Sequence, residues 1–248
     1  MEGIQPGQLP CGRVLEAAAA SLPGLGSREM VVTTRFPATD VGGGLAGWAR
    51  LFAQYPGPRI IAAALVVVTT ARVALWRWHW WDVVIVAGFV VAQPFTEWLI
   101  HVFILHFKPR AVAGRTFDPF ISRKHRLHHL DPRDVPLIFI PLPTLFGMLV
   151  GGGVVLALAF RSAEGSLTAG VIALVLTLVY EWTHFLIHSP YRPVSAAYRY
   201  VWRAHRLHHF KNENYWFGVT VHLADHVLRT FPDKSAVPTS PTCRTLAS

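Results

Sequence analysis

The chain writes one phrase twice. "EWLIHVFILH" followed by "KHRLHH" is echoed by "EWTHFLIH" followed by "AHRLHH". Each phrase starts near the end of a long apolar stretch and finishes just beyond it. The histidines read His101-x4-His106, His125-x2-His128-His129, His184-x3-His188 and His205-x2-His208-His209, which takes ten of the 13 histidines in 248 residues. A fold that uses both phrases must run their two apolar stretches in the same direction. Only then do all four clusters emerge together on one side.

There are four apolar stretches: Ile60 to about Leu75, Val83 to about Leu105, Leu137 to Phe160 and Leu167 to about Ile187. A helix needs about 20 residues to cross about 30 Å of hydrocarbon. The last three stretches reach that length. The first is short, and Arg72 near its end is expected to snorkel to the interface. "WRWHWW" (Trp76 to Trp81) follows it and reads as an aromatic interfacial belt. Charged residues make up 15% of the chain, against about 25% in a soluble domain. The expected fold class is therefore all-α, an integral membrane protein of four transmembrane helices with a cytoplasmic helical cap that holds the histidines. Residues 1–55, rich in Gly, Pro and Ala, are expected as a mobile tail, in part an amphipathic surface segment. Residues 56–231 form the membrane domain and 232–248 a second tail. The start shows no secretory signal pattern, because "VLEAAAA" is short and contains Glu16. Cys11 and Cys243, one in each tail, build neither a disulfide framework nor a Cys-rich zinc site.

Charge sets the expected orientation. The short connections hold Arg77 with Asp82, and Arg161 with Glu164. The regions after the second and fourth stretches are long and basic, carrying Lys108, Arg110, Arg115, Arg123, Lys124, Arg126 and Arg133, then Arg192, Arg199, Arg203, Arg206 and Lys211. The positive-inside rule puts these regions, the histidine clusters and both termini in the cytoplasm. The net charge is +9. Its basic residues alternate with apolar runs and no nucleic-acid motif is present, so anionic lipid is the expected partner and nucleic acid is not.

Histidines at i, i+3 and i+4 lie on one helix face, so each "HRLHH" is expected to present three imidazoles together. His184 and His188 are an i, i+4 pair. His101 and His106 are i, i+5, and share a centre only if the helix ends or distorts there. Ten imidazoles exceed the four or so ligands of one tetrahedral ion, so two metal ions is the natural count. Imidazole suits iron, zinc and copper alike. A bland reading exists for each cluster, as a helix-dipole partner or a pH-sensing patch, but two matched pairs on one side favour metal. His79, in the Trp belt at the opposite face, is excluded. His222 and His226, beside Asp225, are open between ligand, neighbour of a ligand and surface. Glu97 and Glu181, four and three residues before His101 and His184, are expected to accept hydrogen bonds from ligand imidazoles, with Asp225 as a third such acid. "NENYWFG" (Asn212 to Gly218) is a candidate wall over the site, or an interfacial anchor.

The four clusters, in this order, resemble the membrane fatty acid hydroxylase and sterol desaturase superfamily over roughly residues 60–231. Their x4, x2, x3, x2 spacing looks most like the fatty acid 2-hydroxylase branch. The resemblance implies a small helical membrane domain with a histidine-bound dimetal centre. It implies as metal ligands His101, His106, His125, His128, His129, His184, His188, His205, His208 and His209. It further implies O2-dependent hydroxylation of an acyl chain by two iron ions, with zinc as the alternative metal. Many eukaryotic members carry a fused cytochrome b5 domain with a His-Pro-Gly-Gly signature. That signature is absent here, so a separate electron donor is expected, cytochrome b5-like or a ferredoxin with its reductase. Sterol or carotenoid oxidation or desaturation is the alternative within the superfamily. A histidine-lined metal transporter is the alternative outside it, disfavoured because transporters bind near the bilayer midplane.

Overall fold

A computed structural model describes residues 35–36, 41–42 and 44–246. The remainder of the expected N-terminal tail lies outside the described residues. Its last part, Gly44–Phe52, is a helix (α1) that buries Trp48 and Phe52. The amphipathic segment anticipated within the tail thus belongs to the packed body. Four helices follow the apolar stretches: α2 (Pro56–Ala74), α3 (Trp80–Leu99), α6 (Leu142–Ala159) and α7 (Ala163–His188). The helix α3 continues into a π-helical segment, Ile100–Leu105, and a short helix α5 (Val135–Ile138) precedes α6. Four segments are long and apolar enough to cross a membrane: Pro56–Ala74, Trp80–Leu105, Val135–Ala159 and Ala163–His188. Large apolar side chains on them face outward, among them Val67, Val83, Val91, Val155 and Leu158. Such a surface suits lipid as its solvent, not water.

Between the second and third spans lie a small hairpin and the helix α4 (Phe120–Leu130). The hairpin pairs β1 (Arg110–Val112) with β2 (Arg115–Phe117), Arg110 opposite Phe117. Ala113 and Gly114 both have positive φ at its turn, as a two-residue primed turn requires. Periodicity did not announce it, because three-residue strands carry no alternation to read. After the fourth span come α8 (Ala196–Phe210) and α9 (Leu223–Val227). Ser195 caps α8, its hydroxyl accepting from the Tyr198 amide at 3.2 Å.

The core of the cap is aromatic and centres on Phe185, which is fully buried in the last turns of α7. Phe36, Trp48, Phe52, Phe139 and Trp182 surround its ring at centroid distances of 5.1 to 6.3 Å from one another or from it. A second cluster, Ile61, Leu145 and Leu174, ties α2, α6 and α7 together. The C-terminal segment is packed as well. Val237, Cys243 and Leu246 are buried, the Ser240 amide donates to Lys211 O at 2.7 Å and Thr242 Oγ1 donates to Glu213 at 2.5 Å. The expected tail from Pro232 is therefore a strap over the cap. Its Pro, Ser and Thr content suggested a loose chain, but its hydrogen bonds run to the α8–α9 connection.

Arg72 does not snorkel. It turns inward, 2% exposed, and bonds Thr168 Oγ1 at 2.7 Å and Asp82 Oδ2 at 2.9 Å, with its guanidinium 3.9 Å from the Trp78 ring centroid. A charge in a low-dielectric setting needs a counter-charge, and Asp82 supplies it. This cluster joins the first, second and fourth spans at the end remote from the clustered histidines. Removing one partner leaves the other charge buried and unpaired. Arg72→Ala should therefore cost roughly 3 kcal/mol, read as a lower unfolding temperature in detergent. Arg72→Met combined with Asp82→Leu should recover most of that loss.

Candidate metal centre

All ten clustered histidines meet at one end of the spans, in two groups. His101, His106, His125, His129 and His208 form one; His128, His184, His188, His205 and His209 form the other. Within each group one ring nitrogen per residue lies within 4.8 Å of the rest. The groups adjoin, with the His129 and His209 rings stacked at 4.1 Å.

Local structure explains each placement. His101 and His106 meet because the helix widens at Ile100–Leu105. A π turn closes residue i onto i+5, and the His106 amide donates to His101 O at 3.0 Å. Their rings come to 4.9 Å. The distortion that the i, i+5 spacing demanded is thus a helix widening rather than a helix end. His184 and His188 sit one regular turn apart on α7, rings 4.7 Å apart. The two "HRLHH" helices depart from expectation. Each divides its three imidazoles, two to one group and one to the other. His125 and His129 join the pair from α3, while His128 reaches across to His184 and His188 at 4.8 and 4.5 Å. Reciprocally, His205 and His209 join the pair from α7, and His208 crosses to His101 and His106 at 4.5 and 4.9 Å. At about 100° per residue, i+3 and i+4 fall on either side of i, so adjacent histidines serve different groups.

Backbone carbonyls hold the rings. His101 Nδ1 is 2.6 Å from Phe217 O, His208 Nδ1 2.8 Å from Tyr215 O, His129 Nδ1 2.9 Å from Cys243 O, and His184 Nδ1 2.9 Å from Ile138 O. A carbonyl only accepts, so each Nδ1 carries the proton and each Nε2 presents a bare lone pair. Those Nε2 atoms converge. His101 and His129 both lie 3.2 Å from His125 Nε2, His188 lies 3.2 Å from His184, and His208 lies 3.2 Å from His106. His125 can offer one proton at most, so lone pairs face lone pairs. Among the described residues, His128 has no partner for either ring nitrogen, and His205 and His209 none for Nδ1. Protonation does not relieve this. Burial pushes His125, His128, His205, His208 and His209 well below the ordinary imidazole value, reinforced by neighbouring imidazoles, and takes His129 down to about 3. Ten neutral nitrogen donors aimed at two points fit two cations of the kind imidazole binds.

The acids act one link further out than expected. Neither Glu97 nor Glu181 accepts from an imidazole. Glu97 accepts from the Val219 amide, from the Thr220 amide at 2.9 Å and from Thr220 Oγ1 at 2.6 Å. That fixes the loop whose Phe217 carbonyl holds His101. Glu181 accepts from the Ile140 amide at 2.8 Å, fixing the loop whose Ile138 carbonyl holds His184. The two repeats thus share a device, in which an acid grips an amide two residues beyond the carbonyl that orients the histidine. Asp225 reinforces the first loop, accepting from the Phe217 and Gly218 amides at 3.0 and 2.8 Å. Burial raises its carboxyl, but hydrogen bonds from His222, Thr230 and Gly218 outweigh that and hold it below the usual range. A side chain at Gly218 would sit 2.6 Å from Val221 O and 2.7 Å from His222 Nδ1, so only glycine fits.

Neither His222 nor His226 belongs to either group. His222 bonds Asp225 at 2.9 Å and His226 bonds Tyr200 at 2.6 Å. His79 lies at the opposite end of α3, beside Asp82. "NENYWFG" does wall the site, through the Tyr215 and Phe217 carbonyls and the Phe217 ring, 5.3 to 5.6 Å from His208, His101 and His106. Sequence reasoning missed Cys243, whose contribution is a backbone carbonyl without sequence signal. It also missed Tyr180, whose ring packs 5.6 Å from His184.

A cavity of about 810 Å³ opens on this centre, running between α3, α6 and α7 from Trp81 and Phe160 to His101. Its lining is apolar apart from His101 and from Gln93, Thr96, Glu97, Thr177 and Tyr180 on the same halves of α3 and α7 as the histidines.

A family model described as fatty acid hydroxylase matches residues 83–230, more than half the chain. The chain belongs to the fatty acid hydroxylase family. Among curated members of that family, this one is 29% identical over 156 residues to dihydroceramide fatty acyl 2-hydroxylase FAH1 of Arabidopsis thaliana, 62% of each chain. It is 32% identical over 151 residues to fatty acid 2-hydroxylase of Macaca fascicularis, 58% of this chain and 38% of that one. The match thus spans less than two thirds of these relatives' own lengths. Among solved structures, the one described as full-length Scs7p with only its hydroxylase domain visible superposes with a TM-score of 0.56 at 20% identity, covering 73% of this chain and 66% of that one. It shares the fold. The match stops at residue 230, so in this family member the strap that supplies the Cys243 carbonyl lies beyond the family model.

Two outcomes follow for this hydroxylase-family centre. Glu97→Ala and Glu181→Ala should each weaken metal binding about 10- to 100-fold, measured by chelator competition on purified protein, although neither carboxylate is placed to touch a metal. For the metal-free protein, unfolded imidazoles take up protons as pH falls through 6.5, while folded His129 stays neutral to about 3. Its contribution to stability is therefore complete above pH 6.5. It declines from there towards pH 3 by about 1.4 kcal/mol per pH unit. Unfolding temperatures measured across that window should drop most steeply in its upper part, where several histidines act together.

Proposed function

We propose that this protein hydroxylates the fatty acyl chain of a membrane lipid, using O2 and electrons from outside the chain. The observation that carries this reading is the union of a ten-histidine centre with an apolar cavity along the second span. Trp81 and His101 stand at opposite ends of one continuous helix, about 30 Å apart at 1.5 Å per residue. That is the reach of a long acyl chain, not of a compact soluble substrate. The relatives' names point the same way, towards fatty acyl chains and position 2.

His101, His106, His125, His129 and His208 would hold one ion, and His128, His184, His188, His205 and His209 the other. Two bound iron ions would supply the reduction of O2 and the oxidation of a C–H bond, with zinc as the alternative occupant. The rest of the task belongs to the chain. The walls of α3, α6 and α7 exclude water and align the chain. Gln93, Thr96, Thr177 and Tyr180 are placed to hydrogen-bond the polar end of the acyl group. Such bonds leave the carbons next to it nearest the histidines, in keeping with oxidation close to the carbonyl. The loops gripped by Glu97, Glu181 and Asp225 keep the imidazoles aimed, so little reorganisation accompanies each turnover. The positive-inside rule supports placing the centre on the cytoplasmic side.

Expression in a host that makes no hydroxylated lipids tests the reading. Lipid extracts should gain a species one oxygen atom heavier than a host lipid, with the hydroxyl close to the acyl carbonyl by fragmentation. The His205→Ala protein should yield none. A product with two hydrogens fewer and no added oxygen would point to desaturation instead.

A further inference from the structure

On α8 the histidines occupy one face, and a groove occupies the other. At about 100° per residue, His205, His208 and His209 point away from Arg199, Tyr200, Arg203 and Leu207. The groove has a volume of about 560 Å³. Arg199, Tyr200, Arg203, Trp216, Phe231 and Lys234 shape it. Among the described residues, neither Arg199 nor Arg203 has an ion-pair partner or a side-chain hydrogen bond. Asp233 is the groove's one acid, and it is occupied by Ser235.

We propose that this groove docks the electron donor, a one-electron carrier protein with an acidic face. The inference rests on the hydroxylase reading, which requires electrons. Each turnover consumes one O2, two electrons and two protons, leaving one oxygen atom in the lipid and the other in water. The two electrons arrive one at a time from successive carrier encounters. Two observations place that encounter here. The first is charge: unpaired arginines on a chain of net charge +9 attract an acidic partner and speed its approach. The second is connection. Trp216 forms the floor of the groove, 1% exposed and held at φ 55. Its two chain neighbours are Tyr215 and Phe217, whose carbonyls bond His208 and His101. A carrier seated in the groove stands one helix diameter, about 10–12 Å, from the histidine face. It is also joined to the first group of histidines through a single tripeptide. Electron-transfer encounters are small and held mainly by charge, which suits a shallow basic groove better than a broad apolar face.

The full-length protein in phosphatidylcholine nanodiscs, with a plant-type ferredoxin and its reductase as donor, provides the test. The variant is Arg199→Glu with Arg203→Glu, positions outside the acyl cavity and on the face of α8 opposite the imidazoles. Ferredoxin should bind the parent protein with an affinity that falls steeply with salt. The variant should raise both its Kd and its KM by about tenfold or more and flatten the salt dependence. Metal content and dithionite-driven hydroxylation should stay unchanged. An unaltered Kd overturns the proposal. So does an equal loss of dithionite-driven product, since the arginines would then serve the centre itself. A variant that keeps its ferredoxin affinity but no longer retains phosphatidylglycerol on purification would make the groove a lipid headgroup site. If the parent forms no product even with dithionite, the hydroxylase reading fails, and the Kd comparison still decides the groove.

Discussion

Ten imidazoles, stripped of water and aimed at two points, repel one another. Everything else in this structure serves to hold them there. Nδ1 donates to a backbone carbonyl at His101, His129, His184 and His208, so the opposite nitrogen carries only a lone pair. Burial denies His128 and His129 the protons that would otherwise relieve the crowding. A cluster so arranged stores an unfavourable electrostatic term that a cation converts into a favourable one. The scaffold must be rigid enough to withstand the term before any cation arrives.

That rigidity comes from loops more than from helices. The spans bring His101 and His184 to one end, but the orientation of the rings depends on the Phe217, Tyr215 and Cys243 carbonyls in irregular backbone and on the Ile138 carbonyl at the end of α5. Irregular backbone is normally the softest part of a fold. Here acids stiffen it: Glu97 and Asp225 hold the Phe217 loop from two sides, and Glu181 holds the Ile140 loop. The aromatic core around Phe185 locks the end of α7 beneath. At the far end of the spans Arg72, Asp82 and Thr168 pin three helices together.

Much of this was legible in the sequence, for physical reasons. Apolar runs report spans because lipid tolerates no other backbone but a helix over that length, and the histidine spacing reported the centre because only a few helix positions share a face. Illegible features have one property in common, dependence on the backbone of distant segments. Nothing in the identity of Cys243 predicts that its carbonyl meets His129. The i, i+5 spacing of His101 and His106 demanded a distortion, but not whether the helix would stop or widen. Glu97 and Glu181 stand out in the sequence as acids within a span, yet their partners are amides of residues 140, 219 and 220 that no pattern marks. Arg72 looks interfacial in the sequence because its counter-charge, Asp82, sits across a turn in another helix.

The exchange of His128 and His208 between the two groups carries one more consequence. Each "HRLHH" helix belongs to both groups, so neither can be completed without ordering the other's helix. The first ion to bind engages rings on α4 and α8 at once, and the adjacent histidines of the second group share those helices, so the second ion meets rings whose residual freedom is already reduced. Loading should therefore be cooperative, with protein carrying a single ion scarce at partial metal supply. A centre interlocked in this way is either fully loaded or empty, and the half-loaded state is seldom populated.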